Sequence, residues 1–461
     1  MKRVTLIAMM LISTLIVKVH AQEVTTDERI TEVTDQILGL TERLTTAEND
    51  LFKLTKIKVS GYIQAQYLSY DGKAYESTSN NFFMIRRARV KFTYEALDGV
   101  KFVLTPDFVP GNVTIKDAYA VLNDRWLNSF SLWAGKFNRP NYEVEYSSSQ
   151  REVIERSTVI RTLYPSERAI GAKLEYNPVD FPLHVQVALF NGSDNLTINN
   201  SAGVNQNSVE NKDFDPYKDV MARVTYNLNL GSFGGLDFGA HGYYGSLKSN
   251  NTFTLSSDYA TTEGITYGDA VKRNWIGGEF QLFADLLGGM SLKGEYIAGK
   301  NASIGYAPVA ASGTTAAIPG VANFQNNFAG YYLYFIKNLG KKNQFAFRYD
   351  YYDPNTDIAG EEIGVKGFKS TDPNLKSKTS GKSDLAITTY SLALHHYFDD
   401  NIRITLGYDI VQNEKVGANA EGVGNVAEDY THKDGTKVAK GIDYSQAVQN
   451  NLLTLRIQAK F

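Results

Sequence analysis

The 461-residue sequence contains no cysteine. This absence excludes disulfide bridges, cysteine-ligated zinc, iron–sulfur clusters, thiol nucleophiles and a lipid-modified N-terminal cysteine. Lysine and arginine (47) nearly balance aspartate and glutamate (50), which gives a formal net charge of -3. Global attraction to nucleic acid is therefore not expected, and any basic function must be local.

Long apolar runs are also missing from the chain beyond its N-terminus. At the N-terminus itself, an apolar stretch from Val4 to Val17 follows Lys2 and Arg3. About 14 apolar residues are too few for a spanning helix, which needs roughly 20. A basic start, a short apolar run and a small residue at Ala21 are typical of a secretory signal peptide. We therefore expect residues 1–21 to be a signal peptide and the exported chain to begin near residue 22.

Residues 22–56 show a two-stripe heptad pattern that predicts a short α-helical coiled coil. Its apolar positions, separated by alternating steps of three and four, are Ile30, Val33, Ile37, Leu40, Leu44, Ala47, Leu51 and Leu54. The narrow stripe favours self-association over a single helix packed on its own domain. The mixture of residues along the seam allows a trimer without requiring one.

From Ile57 onward the apolar period changes to two and persists to the last residue. The clearest examples run from Asn401 to Val411 and from Gln344 to Tyr352. Alternating segments of about ten residues, joined alternately by short and mostly long connections, predict a sixteen-stranded antiparallel transmembrane β-barrel over 57–461. Only Pro106, of 11 prolines, falls inside a predicted strand. A two-layer soluble β protein would give similar alternation, but the 12% aromatic content near strand ends suits a lipid belt better.

The last predicted strand alternates Leu453, Leu455, Ile457, Ala459 and Phe461 with polar residues. A final strand that ends in phenylalanine resembles the assembly signal of Gram-negative outer-membrane barrels. We therefore expect the protein in the outer membrane, in contact with its lipid.

Three segments together resemble the phosphate-selective porin O and P family, in the form found in Bacteroidetes-type bacteria. They are Phe83–Val90, Asp117–Tyr119 and Trp133–Pro140, the last followed by Glu143 and Glu145. The likeness covers most of the chain from Ile57 and is strongest between 58 and 176. It implies a trimeric, water-filled barrel with a third external loop, near 138–166, folded inward as a constriction. The heptads would then form an accessory trimerisation stalk in the periplasm.

Strand alternation identifies a candidate anion filter on one luminal wall. Arg87, Arg89 and Lys91 share the face opposite Ala88 and Val90, and Lys101 on the next strand faces inward by the same rule. Such cations could select anions, or they could simply pair with luminal acids. The predicted inward faces carry ten bases against seven acids, which is only a slight positive excess. Both interpretations therefore stay open.

The predicted third loop, 138–166, is charged and nearly neutral. Its arginines are Arg139, Arg151, Arg156 and Arg161, and its glutamates are Glu143, Glu145, Glu152 and Glu155. Folded inward, these charges would create a transverse field that orients dipolar solutes. In the alternative interpretation, it is an external loop held by its own ion pairs.

Enzyme and metal chemistry find no support in the sequence. None of the six histidines has the spacing of a helical metal site or a GxSxG-type serine partner. The adjacent His395 and His396 point to opposite faces of a strand. The sequence therefore predicts neither an enzyme nor a cofactor or metal site.

Two functions from different classes remain. The first is a porin for passive diffusion of small hydrophilic solutes, with preference for anions such as phosphate, acting as a homotrimer. The second is a structural or adhesive outer-membrane barrel anchored through its coiled coil to the periplasmic cell-wall layer. A ligand-gated transporter is disfavoured because residues 22–56 are too few for a folded plug.

Overall fold

The computed structural model describes most of the chain from residue 56 onward and part of the N-terminal helix. The described residues are 34–46, 48, 56–71, 80–192, 198–199, 205–206, 215–248, 254–256, 261–262, 269–303, 323–360, 363, 384–416, 430–431, 437–438, 447–448 and 450–461. The chain divides into two compact units, Met1–Ile57 and Lys58–Phe461. The predicted signal peptide, 1–21, lies outside the described residues.

Within the N-terminal unit, residues 34–46 form helix α1. The side chains of Ile37, Leu40 and Leu44, which belong to the heptad seam, are 56%, 61% and 60% exposed. The rest of the predicted coiled coil lies largely outside the described residues, so association through this seam stays a prediction. No helix in the described part of the chain is long and apolar enough to cross a membrane.

The second unit is built from antiparallel strands that follow the alternating pattern of the sequence. Within the described residues, sixteen strands form its wall: β1 (Ile57–Tyr70), β2 (Asn81–Leu97), β3 (Val100–Val109), β4 (Asn112–Asn123), β5 (Phe130–Asn138), β6 (Arg168–Tyr176), β7 (Leu183–Phe190), β8 (Asp219–Asn229), β9 (Gly234–Lys248), β10 (Ala270–Ala284), β11 (Met290–Ser303), β12 (Asn323–Leu339), β13 (Asn343–Asp353), β14 (Ile387–Tyr397), β15 (Ile402–Asn413) and β16 (Leu452–Lys460). Short two- and three-residue strands also occur in three of the longer connections.

Each strand pairs with its neighbour in sequence, and the ladder closes between the first and last strands. The register of β1 with β16 places Gln64 opposite Gln458. Every second connection, beginning with residues 98–99 and ending with residues 398–401, is short, and these short connections lie at one end of the barrel. Most connections at the other end are long. The predicted closed, sixteen-stranded antiparallel barrel is therefore confirmed.

The two faces of the wall differ in polarity as the alternation predicts. On β16 the outward side chains of Leu453, Leu455 and Ile457 are exposed, whereas Arg456 and Gln458 are buried on the inward face. An apolar outer band is what a membrane barrel presents to lipid, and a polar inner face is what it presents to its lumen.

A shift in strand register explains why Pro106 is tolerated inside β3. The pairing of β3 with β4 shifts register between Thr105 and Pro106. Proline cannot donate a ladder hydrogen bond, so it is tolerated where a bulge already interrupts the regular pairing.

The barrel seam depends on Phe461, whose backbone N–H donates to Gly61 O (3.0 Å) and whose carbonyl accepts from Gly61 N–H (2.9 Å). The phenyl ring also covers Gly61, because a Cβ there would come within 2.5 Å of Phe461 Cζ. We expect removal of Phe461 to lower the outer-membrane yield severalfold, since it opens the end of the seam. Heat-modifiable electrophoretic mobility of the membrane fraction would measure this yield.

The matched control is Lys460→Ala, which changes the neighbouring side chain but keeps both hydrogen bonds of Phe461. Normal insertion of the shortened chain would contradict the importance of this seam contact.

Candidate functional site

The segment that joins β5 to β6 lies inside the barrel and contains two short helices, α2 (Tyr142–Glu145) and α3 (Thr158–Leu163). Glycines of the barrel wall leave the space that this segment occupies. A Cβ at Gly330 would come within 2.7 Å of Val159 Cβ, and one at Gly407 would collide with the Ile154 side chain. Because these glycines face the lumen, the segment packs directly against the inner wall; we call it the inner loop.

Apolar packing holds α3 against the wall formed by β9 to β13. Val159, Ile160 and Leu163 are almost fully buried in a cluster with aromatic residues of these strands. The indole N–H of Trp275 donates to the Tyr164 hydroxyl at 2.8 Å, and the ring of Trp275 stacks on Tyr243 with centroids 4.0 Å apart. Burial of such side chains stabilises a packed cluster by about 1.5–3 kcal/mol each.

Hydrogen bonds from several strands fix the inner loop in the same position. The backbone N–H and the hydroxyl of Thr158 both donate to Asp350 Oδ2, at 2.8 and 3.0 Å. On other sides of the lumen, Arg456 Nη1 donates to the carbonyl of Ile154 at 2.9 Å, and Gln64 Nε2 donates to that of Ser148 at 3.0 Å. The loop is thus anchored to β1, β13 and β16.

Four guanidinium groups surround the single carboxylate of Glu155, and we call them the arginine cluster. They belong to Arg86, Arg87, Arg151 and Arg456, at N–O distances of 2.9, 3.2, 3.3 and 3.0 Å. Burial alone would raise the pKa of Glu155, but the guanidiniums, Arg87 foremost, outweigh it and hold that pKa well below its usual range. The Glu155 carboxylate is therefore ionised, and the cluster carries excess positive charge.

A second carboxylate, Glu167, extends this network toward β6. Glu167 pairs with Arg151 at 3.1 Å, with Arg156, and with Arg168 at 2.6 Å. Arg168 also contacts Asp117 at 2.9 Å. Six arginines thus share three carboxylates in the described contacts: Arg86, Arg87, Arg151, Arg156, Arg168 and Arg456 against Asp117, Glu155 and Glu167.

Not all of this charge is hidden from solvent. The Arg86 side chain is 37% exposed and that of Glu155 is 24% exposed, although the other three side chains of the arginine cluster are almost completely buried. Guanidinium groups bind oxyanions bidentately, so a partly exposed member of a cationic group is suited to brief contact with a passing anion.

The structure places the predicted filter residues in different surroundings. Arg87 belongs to the arginine cluster, whereas Arg89 pairs with the luminal Asp107 at 2.8 Å. Lys91 lines a luminal cavity of 520 Å³ that also borders Arg89 and Arg156. Lys101 is half-buried near the short-turn end of β3. The four cations therefore do not form one continuous row of free charge.

The predicted arginines of the inner loop also differ. Arg151 and Arg156 join the network around Glu167, and Arg156 also donates to three backbone carbonyls of the loop. Arg139 is buried over the rings of Tyr164 and Phe190, at 5.8 and 5.9 Å. Arg161 is exposed and donates to Thr158 Oγ1 at 3.4 Å. Most of these arginines thus hold the loop together.

Sequence reasoning missed Arg86 and Arg168. Alternation puts Arg86 on the same face of β2 as Met84 and Ala88, yet its guanidinium reaches Glu155 inside the barrel. The residue type itself was the available signal, because an arginine on a lipid-facing position costs about 2–4 kcal/mol at mid-membrane. Such a residue should be expected to turn inward or lie near the rim.

Two solved structures share this architecture. OprB of Pseudomonas putida matches with a TM-score of 0.53 at 10% identity, over 90% of this chain and 96% of OprB. The anion-selective porin from Comamonas acidovorans matches with a TM-score of 0.50 at 13% identity, over 88% of this chain and 99% of that porin. At such identities the likeness shows the fold alone, which is that of an outer-membrane porin.

The family follows from the sequence match. The family described as phosphate-selective porin O and P matches residues 57–429, and the chain belongs to it. The protein is accordingly a porin of the Gram-negative outer membrane. No curated protein matches the sequence.

Valine at Gly330 and Gly407 would push the inner loop away from the wall. Overpacking of this kind costs about 1–3 kcal/mol, so we expect a lower unfolding temperature and a changed, noisier single-channel conductance. Gly278→Val is the matched control, because Gly278 is exposed on the outer face and its Cβ would lie 3.9 Å from the nearest atom, Gly239 O. Unchanged conductance in the Gly330→Val, Gly407→Val protein would show that the loop does not limit the pore.

Proposed function

We propose that this porin prefers small anions, phosphate among them, and that the arginine cluster provides the preference. The observation that carries the proposal is the sharing of three carboxylates by six arginines inside the barrel. With all groups ionised, this network has a net charge of +3. An ion in the confined lumen interacts with such charge more strongly than it would in bulk water.

Charge pairing and selectivity are compatible in this arrangement. Each carboxylate reduces the field of its neighbouring guanidiniums and keeps the inner loop in place. The remaining excess is moderate, which favours entry of anions while still letting them leave.

Neutralising two members of the arginine cluster tests the proposal. We expect Arg86→Gln with Arg87→Gln to lower the anion-to-cation permeability ratio by about threefold to tenfold, because two unit charges disappear from a confined site. Reversal potentials in a potassium chloride gradient across a planar bilayer measure this ratio. Stable conductance steps of the unmodified protein would at the same time argue against a purely adhesive role.

Lys341→Gln with Lys342→Gln is the matched control. Both lysines are exposed on the turn between β13 and its predecessor β12, where salt screens their charge within about 8 Å. Equal changes in selectivity from the two pairs would contradict the assignment of the filter to the arginine cluster.

Phosphate preference needs its own measurement. Inorganic phosphate added to one side should reduce chloride current through the unmodified channel, since bidentate guanidinium contacts hold a phosphate longer than a chloride ion. An unchanged chloride current would indicate a general anion pore without preference for phosphate.

For the N-terminal region, we propose that residues 22–56 associate as a trimeric coiled coil. The exposed seam residues of α1 support this, because apolar side chains at heptad positions are stabilised by burial against equivalent helices. Ile37→Asp with Leu44→Asp should therefore weaken the trimer in detergent, as measured by light scattering.

Thr45→Asp with Thr46→Asp provides the control, because these residues lie outside the heptad seam. If the seam variant stays as trimeric as the control, the barrel surface is responsible for association. Attachment to the cell-wall layer would then be the better explanation for the apolar heptad residues of the helix.

A further inference from the structure

A histidine and two glutamates converge on the inner wall, away from the arginine cluster. His241 lies on β9, Glu279 on β10 and Glu295 on β11, and they are only 4%, 8% and 3% exposed. Their ligand atoms all lie within 4.8 Å of one another. Because the three residues come from consecutive strands, their grouping has no signature in the linear sequence.

The distances among these atoms suit a shared ligand better than mutual hydrogen bonds. His241 Nδ1 lies 3.4 Å from Glu295 Oε1 and 3.8 Å from Glu279 Oε2. It has no hydrogen-bond partner among the described residues, although the side chain is completely buried. Ligands bound to one tetrahedral metal at about 2.0–2.1 Å are separated from each other by roughly 3.3–3.5 Å.

The local charge also calls for a cation. Glu279 and Glu295 are directly opposite in the β10–β11 register, a destabilising position for two like charges. Arg223 pairs with Glu279 at 2.6 Å and also with Glu145. With His241 neutral, the three carboxylates and one guanidinium leave an excess of two negative charges, which one divalent cation balances.

Neighbouring residues hold the three side chains in position. Gly277 leaves room for the imidazole, because a Cβ there would come within 2.6 Å of His241 Nε2. The Tyr332 hydroxyl donates to Glu295 Oε2 at 2.5 Å, and Asn141 Nδ2 donates to Glu295 Oε1 at 2.8 Å. Outer hydrogen bonds of this kind orient the ligands of metal sites.

Asn141 also lies beside the other ring nitrogen of His241, with Nδ2 at 3.4 Å from Nε2. The same amide group therefore contacts both His241 and Glu295. Asn141 is also the N-cap residue of α2. A metal here would therefore connect the barrel wall to the start of the inner loop.

We propose that His241, Glu279 and Glu295 form a structural binding site for a divalent cation of the zinc class. One imidazole nitrogen and two carboxylate oxygens are ligands that Zn²⁺ accepts, and Mn²⁺ and Co²⁺ accept the same set. The site holds β9, β10 and β11 together beneath α2.

Direct metal binding tests the proposal on the full-length protein in detergent, carrying no histidine tag. After dialysis against Zn²⁺, we expect one bound ion per chain in the unmodified protein. The Glu295→Gln and His241→Gln variants should bind Zn²⁺ about a hundredfold more weakly or worse. Co²⁺ should give a visible absorption band in the unmodified protein, and the lack of cysteine removes any thiolate contribution. Zn²⁺ should also raise the unfolding temperature of the unmodified protein but not those of Glu295→Gln and His241→Gln.

His184→Gln is the matched control, because His184 Nε2 lies 2.5 Å from Glu175 in a histidine–carboxylate pair that belongs to no group of three metal ligands among the described residues. This variant should keep the bound ion. Heat-modifiable mobility verifies that each variant is a folded barrel, and Glu295→Gln preserves the shape of the side chain. Equal Zn²⁺ binding by the unmodified protein and folded Glu295→Gln would overturn the proposal.

Discussion

The need to pair every backbone N–H and C=O within the bilayer is the constraint on which this molecule depends. Hydrocarbon offers no hydrogen-bond partners, so a spanning sheet must close on itself. Here closure joins residues from opposite ends of the chain, and Gln64 Nε2 donates to Gln458 Oε1 at 2.7 Å across 394 positions of sequence. The closed wall sends alternate side chains outward to lipid and inward to a polar lumen.

A polar lumen in turn requires partners for its charges. Removing an ion from water costs several kcal/mol unless opposite charge and hydrogen bonds replace the solvent. The inner loop supplies much of this replacement, since Glu155 and Glu167 collect arginines from the wall and from the loop itself. The same contacts that satisfy buried guanidiniums therefore also position the inner loop.

The two sides of the lumen serve different purposes. Around Trp275 and Tyr243 the wall is aromatic and buries α3, whereas β1, β2 and β16 contribute the polar side chains that meet the other part of the loop. The apolar contacts of α3 fix the loop without using any of the charged groups in the lumen. In the described contacts, the charged side has more guanidinium than carboxylate groups.

The sequence by itself determined the closed barrel, the number of its strands and their inward and outward faces. These properties depend on local alternation, as on β16, where Leu455 and Arg456 could be assigned to opposite faces from their positions alone. Only the tertiary structure decided that Arg87 meets Glu155 while Arg89 meets Asp107, and that His241 lies beside Glu295. Strand parity fixes the direction of a side chain, but its partner depends on barrel closure and on how the inner loop packs between distant strands.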